Sequence, residues 1–245
     1  MKTSQLAAVS AAVIAVGTLV PTRAYSQSTP SVPVGSLSAY PTVVQTGTKP
    51  TLTWSISYPS QVTTVVTVGP TGTITPKTDL YVDLRVLGAS VGDGTSTGWY
   101  TVQAFRKVEN ATTFTQFFSG KQTSVNPSTI YYTQFVHASR PLDIQGRVAS
   151  TSSSNPSSWQ AYYATGTTTQ NVRALVNGDT PPNYVPAFSN QATIKSVLTG
   201  YIDASGKIKI GPMDVIFLFE LWGPDPTQSY FDMQDLVVLA TFRTS

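Results

Sequence analysis

The side chains best suited to chemistry are carboxylates gathered toward the C-terminus. Asp214, Glu220, Asp225, Asp232 and Asp235 are five of the chain's 12 acidic residues, and Arg243 is the only basic residue after position 213. Glu220 stands out because it lies in the otherwise apolar run Val215 to Trp222 (VIFLFELW). If that run is a strand, Ile216, Leu218, Glu220 and Trp222 share one face. A carboxylate beside an indole suits sugar binding, with the ring stacked on an apolar sugar face, or proton donation by an acid whose pKa burial has raised. Glycosidic hydrolysis needs a second carboxylate about 5 to 10 Å away, and Asp214, Asp225 and Asp235 are the nearest candidates in sequence. A strand-end glutamate paired with Lys or Arg is the simpler alternative. Aspartates in a polar loop, likewise, often cap turns by accepting local backbone N–H groups.

Other chemistries lack their residues. His137, in FVHASRP, is the single histidine, so any Ser-His-Asp system would have to pass through it. No G-x-S-x-G turn accompanies it, and a lone strand histidine more often packs or faces solvent. With no cysteine, disulfides, thiolate metal sites and cysteine nucleophiles are excluded. Neither G-x-x-x-x-G-K-[ST] nor G-x-G-x-x-G occurs, which argues against nucleotide chemistry. The remaining signal is aromatic: 12 Tyr, 10 Phe and 4 Trp in a chain with 27 Ser, 36 Thr and only 11% charged residues. Rings on a low-charge, hydroxyl-rich surface suit carbohydrate stacking or protein packing. Trp222 and Trp159 are the candidate sugar platforms beside Glu220. The pairs Tyr131-Tyr132 and Tyr162-Tyr163 place one ring on each face wherever they lie on strands.

The elements that must carry these residues read as strands. Of the 245 residues, 40% are hydrophobic, enough for a core, and two glutamates are too few for a helical bundle. Short runs rich in Thr, Val, Tyr, Phe and Ile, divided by Gly, Pro, Asn and Asp, predict a mainly β protein built as an antiparallel sandwich, immunoglobulin-like or jelly-roll-like. Thr51 to Ser57 alternates, with Leu52, Trp54 and Ile56 on one face. Leu80 to Leu87 (LYVDLRVL) alternates too, turning Leu80, Val82, Leu84 and Val86 one way. Strands are also expected at 62–68, 99–107, 112–118, 130–138, 144–149, 159–164, 215–222 and 236–242. Ser189 to Tyr201 differs: Ile194, Val197, Leu198 and Tyr201 fall on one helical face. It predicts one short helix, capped by Ser189 or Asn190 and ended by the Asp203–Gly206 turn.

The N-terminus reads as a targeting segment. Lys2 precedes an uncharged apolar run, Leu6 to Val20, which Pro21 breaks, and small residues permit a cut after Ala24 or Ser26. A run of about fifteen suits a signal peptide (residues 1–26) better than a membrane span of about 20, though an uncleaved anchor is the alternative. No later run reaches spanning length. Gln27 to Gly35 is then an exposed leader. Without Lys2 and Arg23 the 13 basic residues nearly balance the 12 acidic ones and are scattered singly, so the footprint of nucleic-acid binding is absent.

The stretch YPTVVQTGTKPTLTWSISYP (Tyr40 to Pro59) resembles the opening two strands of bacterial immunoglobulin-like surface domains. That resemblance implies an immunoglobulin-like region over 36–110 and a second β region over 111–245, either separate or one continuous sandwich. SYFDMQDLVV (Ser229 to Val238) resembles the acidic C-terminal strand motif of secreted bacterial β-sandwich domains. Asp232 and Asp235 match that motif, while Tyr230 and Gln234 depart from it. The resemblance implies calcium held by Asp232, Asp235 and Asp225 with Gln234 and carbonyls, part of the roughly six to eight oxygens calcium takes. Turn capping by the same aspartates stays open beside it.

Together these readings lead to an exported, non-catalytic β-sandwich acting at a cell surface or in an extracellular layer. It would be structural or adhesive, with a second copy of itself or surface glycans as partners. A carbohydrate-binding module is the first alternative, and a glycan hydrolase or lyase built on Glu220 the second.

Overall fold

The computed structural model describes the backbone of residues 36–41 and 52–57, and residues 61–244 apart from 96–97, 168–169, 187 and 190. The expected signal peptide and leader lie outside the described residues, as do the side chains of Leu52, Trp54 and Ile56. β1 (Ser36–Pro41) and β2 (Leu52–Ser57) pair antiparallel as a two-stranded sheet.

From residue 61 onward two antiparallel sheets pack face to face, the β-sandwich that the alternating runs predict. The first runs, in spatial order, through β3 (Val66–Val68), β4 (Ile74–Pro76), β9 (Leu142–Val148), β6 (Val102–Val108) and β7 (Thr115–Gly120). The two-residue β10 (Tyr163–Ala164) also pairs with β9. The second runs through β11 (Val172–Leu175), β12 (Asp214–Phe219), β13 (Leu236–Arg243), β5 (Leu80–Gly88) and β8 (Tyr132–Val136). Both sheets mix strands from either side of residue 110: β5 lies between β13 and β8, and β6 between β9 and β7.

Alternation sets the core. Leu80, Val82, Leu84 and Val86 of β5 point between the sheets, as do Val215, Phe217 and Phe219 of β12 and Leu236, Val238, Ala240 and Phe242 of β13. The intervening Ile216, Leu218, Val237 and Leu239 are also buried, in a second cluster on the outer face of the second sheet. The runs VIFLF and LVVLA are continuous rather than alternating because both faces of β12 and β13 are covered. Gly146 of β9 leaves room for the facing sheet: a methyl group there would come within 2.9 Å of both Leu221 and Leu236.

The outer cover includes α2 (Ile194–Val197), one turn rather than a helix over 189–201. Its cap is Thr193, whose hydroxyl oxygen accepts the Ser196 N–H at 3.0 Å, not Ser189 or Asn190. Ile194 and Leu198 meet the second cluster, so the predicted face is used although the helix is short. A strand was expected over 62–68, but its first half is α1 (Val62–Val65), a single turn before β3. Of the run 159–164 only Tyr163 and Ala164 form a strand, with an isolated bridge from Trp159 to Ala149.

A candidate binding cleft on an acidic pin

β12 ends at Phe219, so the strand phase expected to put Glu220 and Trp222 on one face stops short of both. The chain is captured instead by Asn171. The Glu220 N–H donates to the Asn171 carbonyl at 2.9 Å, and Asn171 Nδ2 donates to the carbonyls of Glu220 (3.0 Å) and Gly223 (2.8 Å). Glu220 thereby turns inward and is fully buried. Its Oε1 accepts the Trp222 N–H at 3.0 Å, and its Oε2 accepts those of Asp232 (2.9 Å) and Met233 (3.4 Å). Met233 has a φ of 62°, the left-handed conformation, which aims two successive N–H groups at one oxygen. For a non-glycine residue this costs about 1 kcal/mol.

Asp232 and Asp235 complete the pin. One carboxylate oxygen from each of Glu220, Asp232 and Asp235 lies within 4.8 Å of the others, and all three residues are buried. Asp235 Oδ2 accepts the Leu221 N–H at 2.7 Å, and Gln234 Nε2 donates to Asp232 Oδ2 at 2.7 Å. Burial pushes the Asp235 carboxyl well above the ordinary carboxylate range, and the like charges of Glu220 and Asp232 push it further. Burial raises Glu220 as well, against the pull of its backbone N–H donors. Both shifts favour the neutral form, so burial and like charge oppose full ionisation of the three carboxyls. The outcome is mechanical: four backbone N–H groups at 221, 222, 232 and 233 are tied to two carboxyls, fixing both ends of the connection between β12 and β13.

Above this pin opens a cleft of about 320 Å³. Tyr100, Phe188, Trp222 and Tyr230 line it with aromatic rings, and Asp93, Gln191, Ser229 and Asp235 line it with polar groups. Tyr100 and Trp222 meet edge to face at 5.1 Å. Gly223 seats Tyr230, since a Cβ there would fall 2.6 Å from the phenol oxygen. Asp93 is held below the usual carboxylate range by the hydroxyl of Thr95, at 2.7 Å, and by its N–H, at 2.9 Å.

The expected site residues are thus divided. Glu220, Asp232 and Asp235 converge, and with Gln234 they are the side chains that could hold a cation. Asp225 stands apart, accepting from the Thr227 N–H (2.9 Å) and hydroxyl (2.7 Å) and from Gln228 Nε2 (3.2 Å), which is turn capping. Trp222 lines the cleft; Trp159 does not. It sits on the outer face of the first sheet with the Arg147 guanidinium 4.4 Å from its ring centroid. Of the tyrosine pairs, Tyr163 is buried and Tyr162 exposed, although β10 begins only at Tyr163. Tyr131 and Tyr132 both pack against the core, because β8 begins only at Tyr132. His137 lies at the surface, 3.7 Å from Asp79 and 3.9 Å from Glu109.

Asp93, Tyr100 and Asn171, like Phe188 and Gln191, escaped the sequence reading. Asp93 was visible only as part of an Asp-Gly turn, Tyr100 as one aromatic among many, and Asn171 carried no signal. Trp222 lies more than 100 positions from both Asp93 and Tyr100, and Glu220 lies 49 from Asn171. Comparison of the chain with protein-family models, with curated proteins and with solved structures finds no match.

Proposed function

We propose that this chain is an exported, non-catalytic β-sandwich that binds carbohydrate in the cleft lined by Tyr100, Trp222 and Tyr230. The observation that carries this reading is the cleft itself: rings to stack on apolar sugar faces, with carboxylate, amide and hydroxyl groups beside them to meet sugar hydroxyls. Sequence support for export comes from the Leu6–Val20 run. A binding role, rather than hydrolysis by Glu220, is supported by that residue's burial and by the backbone N–H groups on both of its oxygens. Such a domain suits adhesion in an extracellular layer. Screening the purified protein against plant, algal and bacterial glycans tests the reading. Binding that disappears in Trp222→Ala and persists in Trp159→Ala is the expected result; silence across all three glycan sets overturns it.

The acidic pin belongs to this reading as the support that fixes Trp222. A thermal melt with and without millimolar calcium decides what neutralises it. An unchanged melting temperature fits neutralisation by protons within the pin, whereas a calcium-dependent rise assigns that role to the cation.

A further inference from the structure

The cleft has a chemical bias that a neutral sugar would leave unused. Four rings and the Asp93 carboxylate face it, with the buried Asp235 raised toward its neutral form, and no lysine, arginine or histidine is among its described lining residues. Asp93 is fixed at the rim by Thr95 and remains open to solvent. Its charge reaches across to Tyr100, whose phenol is raised first by burial and then by Asp93. Aromatic faces carry the negative end of the ring quadrupole, so rings and carboxylate give the cleft one sign of potential. An anionic ligand is repelled there, and an organic ammonium is attracted by both kinds of group. The outer face of the first sheet shows what such rings take when the chain supplies it: Trp159, Tyr162 and Phe105 surround the Arg147 guanidinium at 4.4, 4.7 and 5.6 Å. Among the described residues, none supplies the cleft with such a cation.

We propose that the cleft takes a ligand carrying an organic ammonium group, seated against Tyr100, Trp222 and Tyr230 with Asp93 as its counter-charge. Two sources share this chemistry, an amino sugar within a glycan and a quaternary headgroup of the choline type. The amino-sugar form rests on the carbohydrate reading above; the headgroup form does not. Dimensions favour neither, since a cleft of about 320 Å³ holds one sugar ring or one trimethylammonium group with its stem.

Isothermal titration of the purified protein with glucosamine hexamer, N-acetylglucosamine hexamer and choline chloride tests the proposal. The expected result is glucosamine hexamer binding about tenfold tighter than its N-acetylated counterpart. That advantage should shrink with added salt. It should fall to about twofold in Asp93→Asn, with an unchanged melting temperature because Asp93 is at the rim. Equal binding of the two hexamers overturns the ammonium proposal and leaves the carbohydrate reading standing. Choline binding without either hexamer upholds the ammonium proposal and overturns the carbohydrate reading. No binding of any probe overturns both, and a tenfold advantage that survives Asp93→Asn overturns the assignment of the counter-charge.

Discussion

Two aromatic surfaces of this sandwich use the same residue types and end with opposite electrostatics. On the outer face of the first sheet, Phe105, Trp159 and Tyr162 gather round Arg147, which also donates from Nε to Gln103 Oε1 at 2.8 Å. In the cleft, Tyr100, Trp222 and Tyr230 stand beside Asp93 and Asp235, with no cation among the described lining residues. The platform's rings are already engaged by a charge from their own chain; among the described residues, none engages the cleft's rings in that way. What separates a packing surface from a binding surface here is the charge beside the rings, not their number.

The strongest way to break the contrast is to remove what positions the cleft. Glu220→Ala orphans the buried N–H groups of Trp222, Asp232 and Met233, and should cost about 3 kcal/mol or more in urea unfolding. It should also weaken any cleft ligand, because Trp222 loses its anchor. A cost below 1 kcal/mol would show that the connection between β12 and β13 holds itself without the pin. Next in size, Trp222→Ala should weaken cleft binding by about 30-fold, while Trp159→Ala leaves it unchanged. Equal losses in the two variants would erase the distinction between the surfaces.

Asp235→Asn sharpens the comparison at smaller amplitude. The amide can still donate to Glu220 and accept the Leu221 N–H, but it carries no buried charge to suppress, so the melting temperature near neutral pH should rise by a few degrees. The smallest effect belongs to the platform: Arg147→Ala should cost less than about 1 kcal/mol, since the pair is partly exposed, and should leave cleft binding intact.

The pH dependence separates the same two kinds of charge. Asp235, Glu220 and Asp214 are raised by burial in the folded state, so folding takes up protons. Their contribution is fully present below the ordinary carboxylate value near 4, and is lost as pH rises through the raised folded values. Asp83 behaves oppositely. Burial raises it, but hydrogen bonds from Arg243 and Thr133 and the Arg243 charge outweigh burial and lower it overall. Its contribution is lost as pH falls below the ordinary value. Melting temperature should therefore rise as pH falls from neutrality toward the ordinary carboxylate range and fall again below it, with Asp235→Asn flattening only the upper limb. An Asp235→Asn profile parallel to the parent's would mean that another buried carboxyl sets the upper limb.

Much of the sandwich was legible because burial on one face leaves a period of two in the chain. LYVDLRVL gave both the extent of β5 and its inward residues. Elements were missed where no pattern could form: β4 and β11 are three and four residues long, and α1 interrupts a run of valines and threonines that reads as strand. At the site, the presence of Glu220 beside Trp222 was legible but its direction was not. A strand's phase ends where its hydrogen-bonding partner ends, and the partner that diverts Glu220 is Asn171, 49 positions upstream. The positive φ of Met233, which wraps residues 232 and 233 round a carboxylate, leaves no mark in composition. Asp93 and Tyr100 reach Trp222 only through the fold.

The position of β13 has a consequence for how the molecule comes into being. This strand, the last one described, is also the middle strand of the second sheet, flanked by β12 and β5. A ribosome that has produced everything up to residue 235 has made a chain whose two longest apolar strands in that sheet still lack the neighbour between them. Such a nascent chain cannot settle into its native pairing, because the missing contacts join residues more than 140 positions apart, Thr241 to Asp83 among them. Closure of the sheet waits for residues 236–243, which pair with both β12 and β5. Until those residues are made, the facing edges of β12 and β5 stay unpaired, an open template for aggregation.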